Sequence, residues 1–304
     1  MSHFESDRHR RAALAAIRVG RIPLKYAYAG SAAYTHDAYA RSGGYLSMLA
    51  SARYEAEALI ATRGPGVDRL AVAEIGPGNG GRSSAFLGRL TSLGHPCRRY
   101  LALDFSATLL AIACARLARF AGAGMSVDSH VWDIEAGASG GVERWRPERD
   151  AVIVCLLGHT LGNVERPTAT LANIRASLRR GDVLVLSVVV ARPGEAADEV
   201  LAPYRSRQFR DAALEPLLAA GLSDADLDFV VRWHDATVTG EAVLRRPAAL
   251  DGACLPAGHR VRCFQSRRFH HLDVIAAVRD AGWHIRDAAS APGGNHLVIT
   301  ASGE

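Results

Sequence analysis

Lysine is almost missing from this 304-residue chain: Lys25 is the only one, and arginine carries the rest of a basic balance that leaves a formal charge of +5. The arginines are dispersed, with pairs such as Arg98-Arg99, Arg179-Arg180, Arg245-Arg246 and Arg267-Arg268, and there is no polybasic tail. That pattern predicts solvated faces and not a nucleic-acid surface. No apolar run reaches the roughly eighteen residues of a membrane-spanning helix. The cysteines (Cys97, Cys114, Cys155, Cys254, Cys263) include no CxxC pair, which argues against a zinc or disulfide framework, and no metal site is expected. The first twenty residues lack the apolar core and small-residue cleavage site of a secretory signal, so the expectation is a cytoplasmic protein without nucleic-acid or membrane partners. The oligomeric state stays open.

What is present is a regular alternation. A short apolar run, Leu70 to Ile75, is followed by a helical stretch from about Arg82 to Leu93. Next come a strand Tyr100 to Leu103, a helix Ser106 to Phe120, and strands near Val127 to Trp132, Ala151 to Leu157 and Val183 to Val190, with a helix Pro167 to Leu178 before the last. Strands alternating with helices predict βαβ units, hence an α/β protein with a Rossmann-like, doubly wound, mostly parallel sheet. Ahead of it, residues 1–62 read as a helical, tyrosine-rich lid, and 63–190 as the core. Residues 191–258 read as an inserted α+β substrate-binding region, and 259–304 as a return to the core sheet through a strand near Arg260 to Phe264, a helix and a terminal hairpin.

The first βα turn reads Glu74-Ile75-Gly76-Pro77-Gly78-Asn79-Gly80-Gly81. Its glycines let the backbone turn tightly and approach a ligand at the following helix N-terminus. Gly76, Gly78 and Gly81 also satisfy GxGxxG, the dinucleotide pattern, so a nicotinamide cofactor competes with S-adenosylmethionine here. The acids weigh toward the second. Glu74 would oppose a pyrophosphate but face the cationic methionyl end of a sulfonium. Asp104 ends the next strand, where an acid accepts hydrogen bonds from ribose hydroxyls, and Ser106 follows it. Asp133 closes the third strand, where it would receive an adenine amino group, with Trp132 or Ile134 to pack on the ring, unless it serves only as a cap.

With these pieces in order, the sequence resembles class I S-adenosylmethionine-dependent methyltransferases, and within them the histidine-specific N-alpha-methyltransferase family of ergothioneine biosynthesis, which also includes fungal indole-alkaloid N-methyltransferases. The likeness runs through Ile22-Pro23-Leu24-Lys25-Tyr26-Ala27-Tyr28, Glu74-Ile75-Gly76-Pro77-Gly78, Leu103-Asp104-Phe105-Ser106 and Leu157-Gly158-His159-Thr160-Leu161-Gly162-Asn163. The resemblance implies that Gly158 lines the cofactor and that Asn163, Tyr28 and Tyr45 hold an amino-acid substrate. Two positions depart from the family: His159 stands where it has Ser, and Phe264, two residues before Ser266, stands where it carries a substrate-gripping Glu.

These readings predict an enzyme that transfers a methyl group from S-adenosylmethionine to the amine of a small amino-acid-like molecule other than histidine. His159 is the candidate base, at an ordinary imidazole pKa of about 6.5, with Tyr28 and Tyr45 beside the reaction. Phe264 and Ser266 complete the substrate contacts. Two other chemistries would use the same cofactor: cyclisation to azetidine-2-carboxylate with release of methylthioadenosine, and aminocarboxypropyl transfer. A nicotinamide-dependent oxidoreductase is a further alternative.

Overall fold

Near-continuous apolar runs need cover on both faces, and the strands of the central sheet supply the clearest case: β1 (Leu70–Ile75), β4 (Ile153–Leu156) and most of β5 (Val183–Val189) are buried along their length. The computed structural model describes residues 3–42, 52–62, 70–146 and 151–303. Within them β1 and β4–β5 join β2 (Cys97–Asp104), β3 (Ser126–Val131), β11 (His284–Ser290) and β12 (His296–Ser302) in one seven-stranded sheet of order β11-β12-β5-β4-β1-β2-β3. Neighbours from β5 to β3 are parallel, whereas β12 runs antiparallel to both β5 and β11. This is the doubly wound Rossmann-like sheet that the alternation predicts, with the terminal hairpin where it was expected.

The helix Ala52–Thr62 and the helix Gly81–Ser92 cover one face of that sheet. Ala52, Ala56 and Leu59 from the first, and Phe86, Leu87 and Leu90 from the second, pack with Val72, Tyr100, Ile153, Cys155, Val185 and Val298. Helix Ala52–Thr62 therefore belongs to the core unit, although the sequence groups it with the lid.

The chain forms two compact units. The second holds the seven-stranded sheet. The first collects, among the described residues, 3–42, Ser106–Leu109 and Gly194–Arg267. Its helix Asp7–Arg18 starts at Ser6, whose hydroxyl accepts from His9 N, and carries Asp7 in its first turn and Arg18 in its last, as the helix dipole favours. Its strands β6 (Leu227–His234), β7 (Thr237–Leu244) and β10 (Arg260–Arg267) form an antiparallel sheet of order β10-β7-β6, and the short β8 (Ala248–Leu250) and β9 (Ala253–Leu255) pair with one another. Asp235 and Ala236 both take positive φ, 48° and 53°, in the two-residue turn between β6 and β7. Leu14, Ile17, Ile22, Leu214, Leu217, Leu227, Leu244 and Val261 form the core of this unit.

One expectation is corrected here. The strand near Arg260 to Phe264 does not return to the central sheet; it pairs with β7, and the core resumes at Arg268. Its alternation of polar and apolar residues, Arg260-Val261-Arg262-Cys263, is that of a half-exposed antiparallel strand and unlike the buried runs of β1 and β4.

Candidate functional site

The glycine loop after β1 is shaped by close approach. Gly76 (φ 67°) and Gly78 (φ 56°) lie in the left-handed region. A Cβ on Gly76 would come within 3.0 Å of the Thr160 side chain, so the loop after β1 and the segment after β4 pack directly on one another. Gly76 N also donates to Leu103 O at 2.7 Å, which ties the loop to β2 just before Asp104.

Glu74 lies elsewhere than its charge suggests. Strand register puts it on the same face as Tyr100, the face covered by helices, where it is 1 % exposed and accepts the Tyr100 hydroxyl at 2.7 Å. Burial pushes its pKa up to about 7 against the opposing pull of that hydrogen bond. Glu74 is thus a core acid bound to tyrosine, which corrects the expectation that it faces a cationic ligand. The shift has a signed consequence. Between pH 4.5 and 7 the folded protein binds a proton at Glu74 that the unfolded chain has lost, so this contribution to stability is full below 4.5 and falls as pH rises to about 7. The loss amounts to about 3 kcal/mol. Urea melts at pH 5 and pH 8 should show it in the wild type, and Glu74→Gln should remove it; an unchanged difference between the two pH values would refute the assignment.

Asp104 ends β2 and is 4 % exposed. Asp133 lies beyond β3, with Oδ1 accepting from Glu135 N at 3.1 Å, the local turn that a cap would make. Trp132 and Ile134 are buried, and Trp132 Nε1 donates to Gly137 O, so neither ring nor branched chain is an open platform for adenine. Ser106 caps the helix Ala107–Leu117 by accepting from Leu109 N, and its own hydroxyl donates to Glu5 at 2.9 Å. Glu5 also accepts from Thr108 N and Oγ1. The Ser106 hydroxyl is engaged by protein, against its expected role as a cofactor contact.

Beyond β4 the structure assembles a polar cluster. Glu55, 0 % exposed, holds Arg82 through two hydrogen bonds, Nε to Oε2 at 3.2 Å and Nη2 to Oε1 at 2.5 Å. Its Oε1 also accepts from Gly158 N at 3.4 Å. Gly158 has φ 77°, and a Cβ there would lie 3.3 Å from Arg82 Nε, so the glycine admits the guanidinium. His159 is enclosed: burial, then the positive potential of His296, Arg268 and Arg82, lowers its pKa to about 3. An imidazole at pKa 3 is a poor proton acceptor, which corrects the expectation of an ordinary base near 6.5. His296 is lowered to about 4 for the same leading reason. Asn163 closes the short helix Thr160–Asn163 that begins beside Gly76.

Sequence reasoning missed Glu55, Arg82, Arg268 and His296. One signal existed for Glu55: an acid on the apolar stripe Ala52, Ala56, Leu59 needs a partner.

In the first unit, Tyr28 meets His36 edge to face at 4.5 Å. Phe264 stacks on Tyr204 at 5.5 Å, with Phe209 edge-on to it at 4.6 Å. Ser266 shares a 2.7 Å hydrogen bond with the Tyr204 hydroxyl. Gly240 makes room for this arrangement, since a Cβ there would fall 2.0 Å from Phe264. Tyr204 thus joins the two residues that the sequence singled out. Tyr45 lies outside the described residues. Among those described, no group of three or more His, Cys, Asp or Glu could hold a metal, and no helix is long and apolar enough to cross a membrane.

A seven-stranded sheet with one antiparallel strand, a glycine turn after β1 and an acid ending β2 make a Rossmann-like, doubly wound fold. The chain belongs to the histidine-specific, S-adenosylmethionine-dependent methyltransferase family, whose model matches residues 49–302. Its cofactor is therefore S-adenosylmethionine, and the nicotinamide alternative is set aside. The chain is similar to several solved structures, three of which follow. An S-adenosylmethionine-dependent methyltransferase from Clostridium acetobutylicum ATCC 824 is 10 % identical over 83 % of this chain and 90 % of its own, with a TM-score of 0.44. The glycopeptide N-methyltransferase MtfA is 16 % identical over 87 % and 99 %, TM-score 0.47. CalS10, an amino pentose methyltransferase from Micromonospora echinaspora solved with S-adenosylmethionine bound, is 15 % identical over 84 % and 91 %, TM-score 0.43. No curated protein matches the sequence.

The residues present fit that cofactor. The turn at Gly76 and Gly78 takes a left-handed backbone that glycine adopts without strain, and Asp104 and Asp133 lie beyond two neighbouring strands, where a cationic ligand with ribose hydroxyls and an adenine amino group requires acceptors.

Proposed function

We propose that the protein N-methylates a small amino-acid-like amine other than histidine. Bound S-adenosylmethionine supplies an electrophilic methyl group on a sulfonium that is already a good leaving group. The protein's task is then positioning in a site that excludes water. Asp104 takes the ribose hydroxyls, Gly76, Gly78 and Gly158 give the backbone its close approach, and Asp133 meets the adenine edge. Asn163, an amide with both donor and acceptor, holds the acceptor's amino-acid end.

The observation that carries the exclusion of histidine is Phe264. It is stacked on Tyr204 where the family's pattern has a carboxylate, and an imidazole left without its acceptor forfeits roughly 1 to 3 kcal/mol. Incubation with methyl-labelled S-adenosylmethionine and a panel of amino acids and amines tests it. Labelled methyl should appear on an amine and only weakly on histidine; efficient trimethylation of histidine would overturn the specificity.

The amine attacks as its free base, and the neutral His159 ring accepts a hydrogen bond without taking the proton. The rate should therefore climb with pH toward the acceptor ammonium's own pKa, about 8 or above, with no break near 6.5. A plateau beginning near 6.5 would restore His159 as the base.

Replacing Asp104 by Ala removes a charged acceptor worth about 1.5 to 3 kcal/mol. Calorimetry should show cofactor affinity down by a factor of roughly 10 to 150 in a folded protein; unchanged affinity would reduce Asp104 to a strand-end cap.

A further inference from the structure

We propose that two copies of this chain pair through the outer edge of β6, antiparallel and about a two-fold axis at Val230, so that their three-stranded sheets join edge to edge. The inference goes beyond the reaction and does not depend on which acceptor is methylated.

The hydrogen-bonding parity of the hairpin leaves that edge open. Strand β6 is the last of its sheet, and among the described residues no strand follows it. Arg245 N donates to Asp226 O at 2.8 Å, one step before the pair Leu227 and Leu244, so positions 226 and 245 form a hydrogen-bonded pair of the ladder. The register from there to His234 has no bulge, so Asp228, Val230, Arg232 and His234 likewise turn their main-chain groups toward β7. The residues between them turn theirs outward. The main-chain groups of Phe229 and Val231 meet no backbone partner among the described residues. An eight-residue edge of this kind is a template for another strand. Side chains alternate in the same way. Val200 and Leu201 pack with Val231, Trp233 and Val238, on the face of the odd-numbered residues of β6, whereas Asp228 and Arg232 lie exposed on the other face.

Charge selects the occupant and the register. Outward-turned residues exchange hydrogen bonds only with one another, so a second copy of this edge fits antiparallel with Phe229 opposite Val231, or with one of these opposite itself. The first choice sets Asp228 opposite Arg232 of the second copy, and Arg232 opposite its Asp228. Both pairs fall at the closer, non-hydrogen-bonded spacing, where side chains interact most. Val230 meets its own counterpart on the axis, and Asp226 falls opposite His234. In the other two registers Val230 faces Asp228 or Arg232 instead. The pairs within the chain leave room for the new ones. Both bonds from Arg245 go to Asp228 Oδ1, and Arg232 reaches Glu241 through Nη1, so Asp228 Oδ2 and Arg232 Nη2 are not used by those pairs. A two-fold pairing uses each edge once, and the assembly closes as a dimer.

Sedimentation velocity of the full chain over a dilution series reads the pairing. Wild type should pass from monomer to dimer at micromolar concentration. Asp228→Arg alone, or Arg232→Asp alone, sets like charges opposite one another twice and should weaken the dimer at least about a hundredfold. An equimolar mixture of the two variants restores opposite signs on both sides of the axis and should bring a dimer back. A cross-link gives a second reading that leaves the charges in place. Cys254 is exposed, so it is first replaced by Ser. In that background Val230→Cys should give a disulfide-linked dimer under mild oxidation, because a non-hydrogen-bonded antiparallel pair has the spacing a disulfide needs; Cys254→Ser alone should not. The cross-link decides the matter if a charge variant fails to fold. A wild type that is monomeric at every concentration overturns the proposal. A dimer that neither single variant weakens, a mixture that stays monomeric, or a Val230→Cys chain that does not cross-link overturns it as well.

Discussion

Glu55→Gln should lower the melting temperature by about 10 °C and weaken cofactor binding in the same variant. Glu55 is fully buried and its carboxylate is shared among Arg82 Nε, Arg82 Nη2 and Gly158 N. An amide in its place leaves the Arg82 guanidinium, 12 % exposed, without its counter-charge. Breaking one side of such a pair costs about 3 to 5 kcal/mol, because the remaining charge stays buried. For a protein of this size each kilocalorie moves the transition by about 2 to 4 °C. The loss of affinity follows from the third bond, since Gly158 sits in the turn that packs, through Thr160, on the glycine loop after β1. A paired change, Glu55→Leu with Arg82→Met, should recover most of the stability, because an apolar pair of similar volume needs no counter-charge. It should not recover the affinity. A melting temperature unchanged by Glu55→Gln would show that the pair is energetically idle.

Asn163→Ala is expected to cut turnover by a factor of a hundred or more while cofactor affinity changes less than about threefold. The helix Thr160–Asn163 is anchored beside Gly76, so truncating its last side chain leaves the glycine loop and Asp104 untouched. What is lost is the orientation of the acceptor amine, and misplacement on the order of 1 Å costs about a hundredfold in rate. In kinetic terms kcat and kcat/KM should fall together, the signature of an interaction realised in the transition state. Normal turnover would remove Asn163 from the acceptor site; a matching loss of cofactor affinity would make it a cofactor residue.

The central sheet was legible in the sequence because its strands carry the two signals that local chemistry leaves behind: buried apolar runs such as Leu70 to Ile75, and glycine turns where the chain must bend. Strand β10 was misread because membership in one sheet or another is settled by pairing partners far away in sequence, and only its polar alternation hinted at a half-exposed position. Glu74 shows the same limit at the level of one side chain. Its place at a strand end was readable, but the face it occupies depends on register with Tyr100. His159 was located correctly after β4, yet its pKa is lowered first by burial and then by His296, Arg268 and Arg82, which arrive from three other segments. The cluster around Glu55 had no motif to announce it, because each of its members comes from a different element.

The most direct test of the account follows both halves of the cofactor during one reaction. Purified protein is incubated with S-adenosylmethionine and the acceptor found in the amine panel, and S-adenosylhomocysteine, methylthioadenosine and methylated amine are quantified together by mass spectrometry. The account predicts S-adenosylhomocysteine and transferred methyl groups in a one-to-one ratio, with no methylthioadenosine above the background of cofactor decay. Methylthioadenosine accumulating in place of S-adenosylhomocysteine, with azetidine-2-carboxylate or an aminocarboxypropyl adduct and no methylated amine, would contradict it.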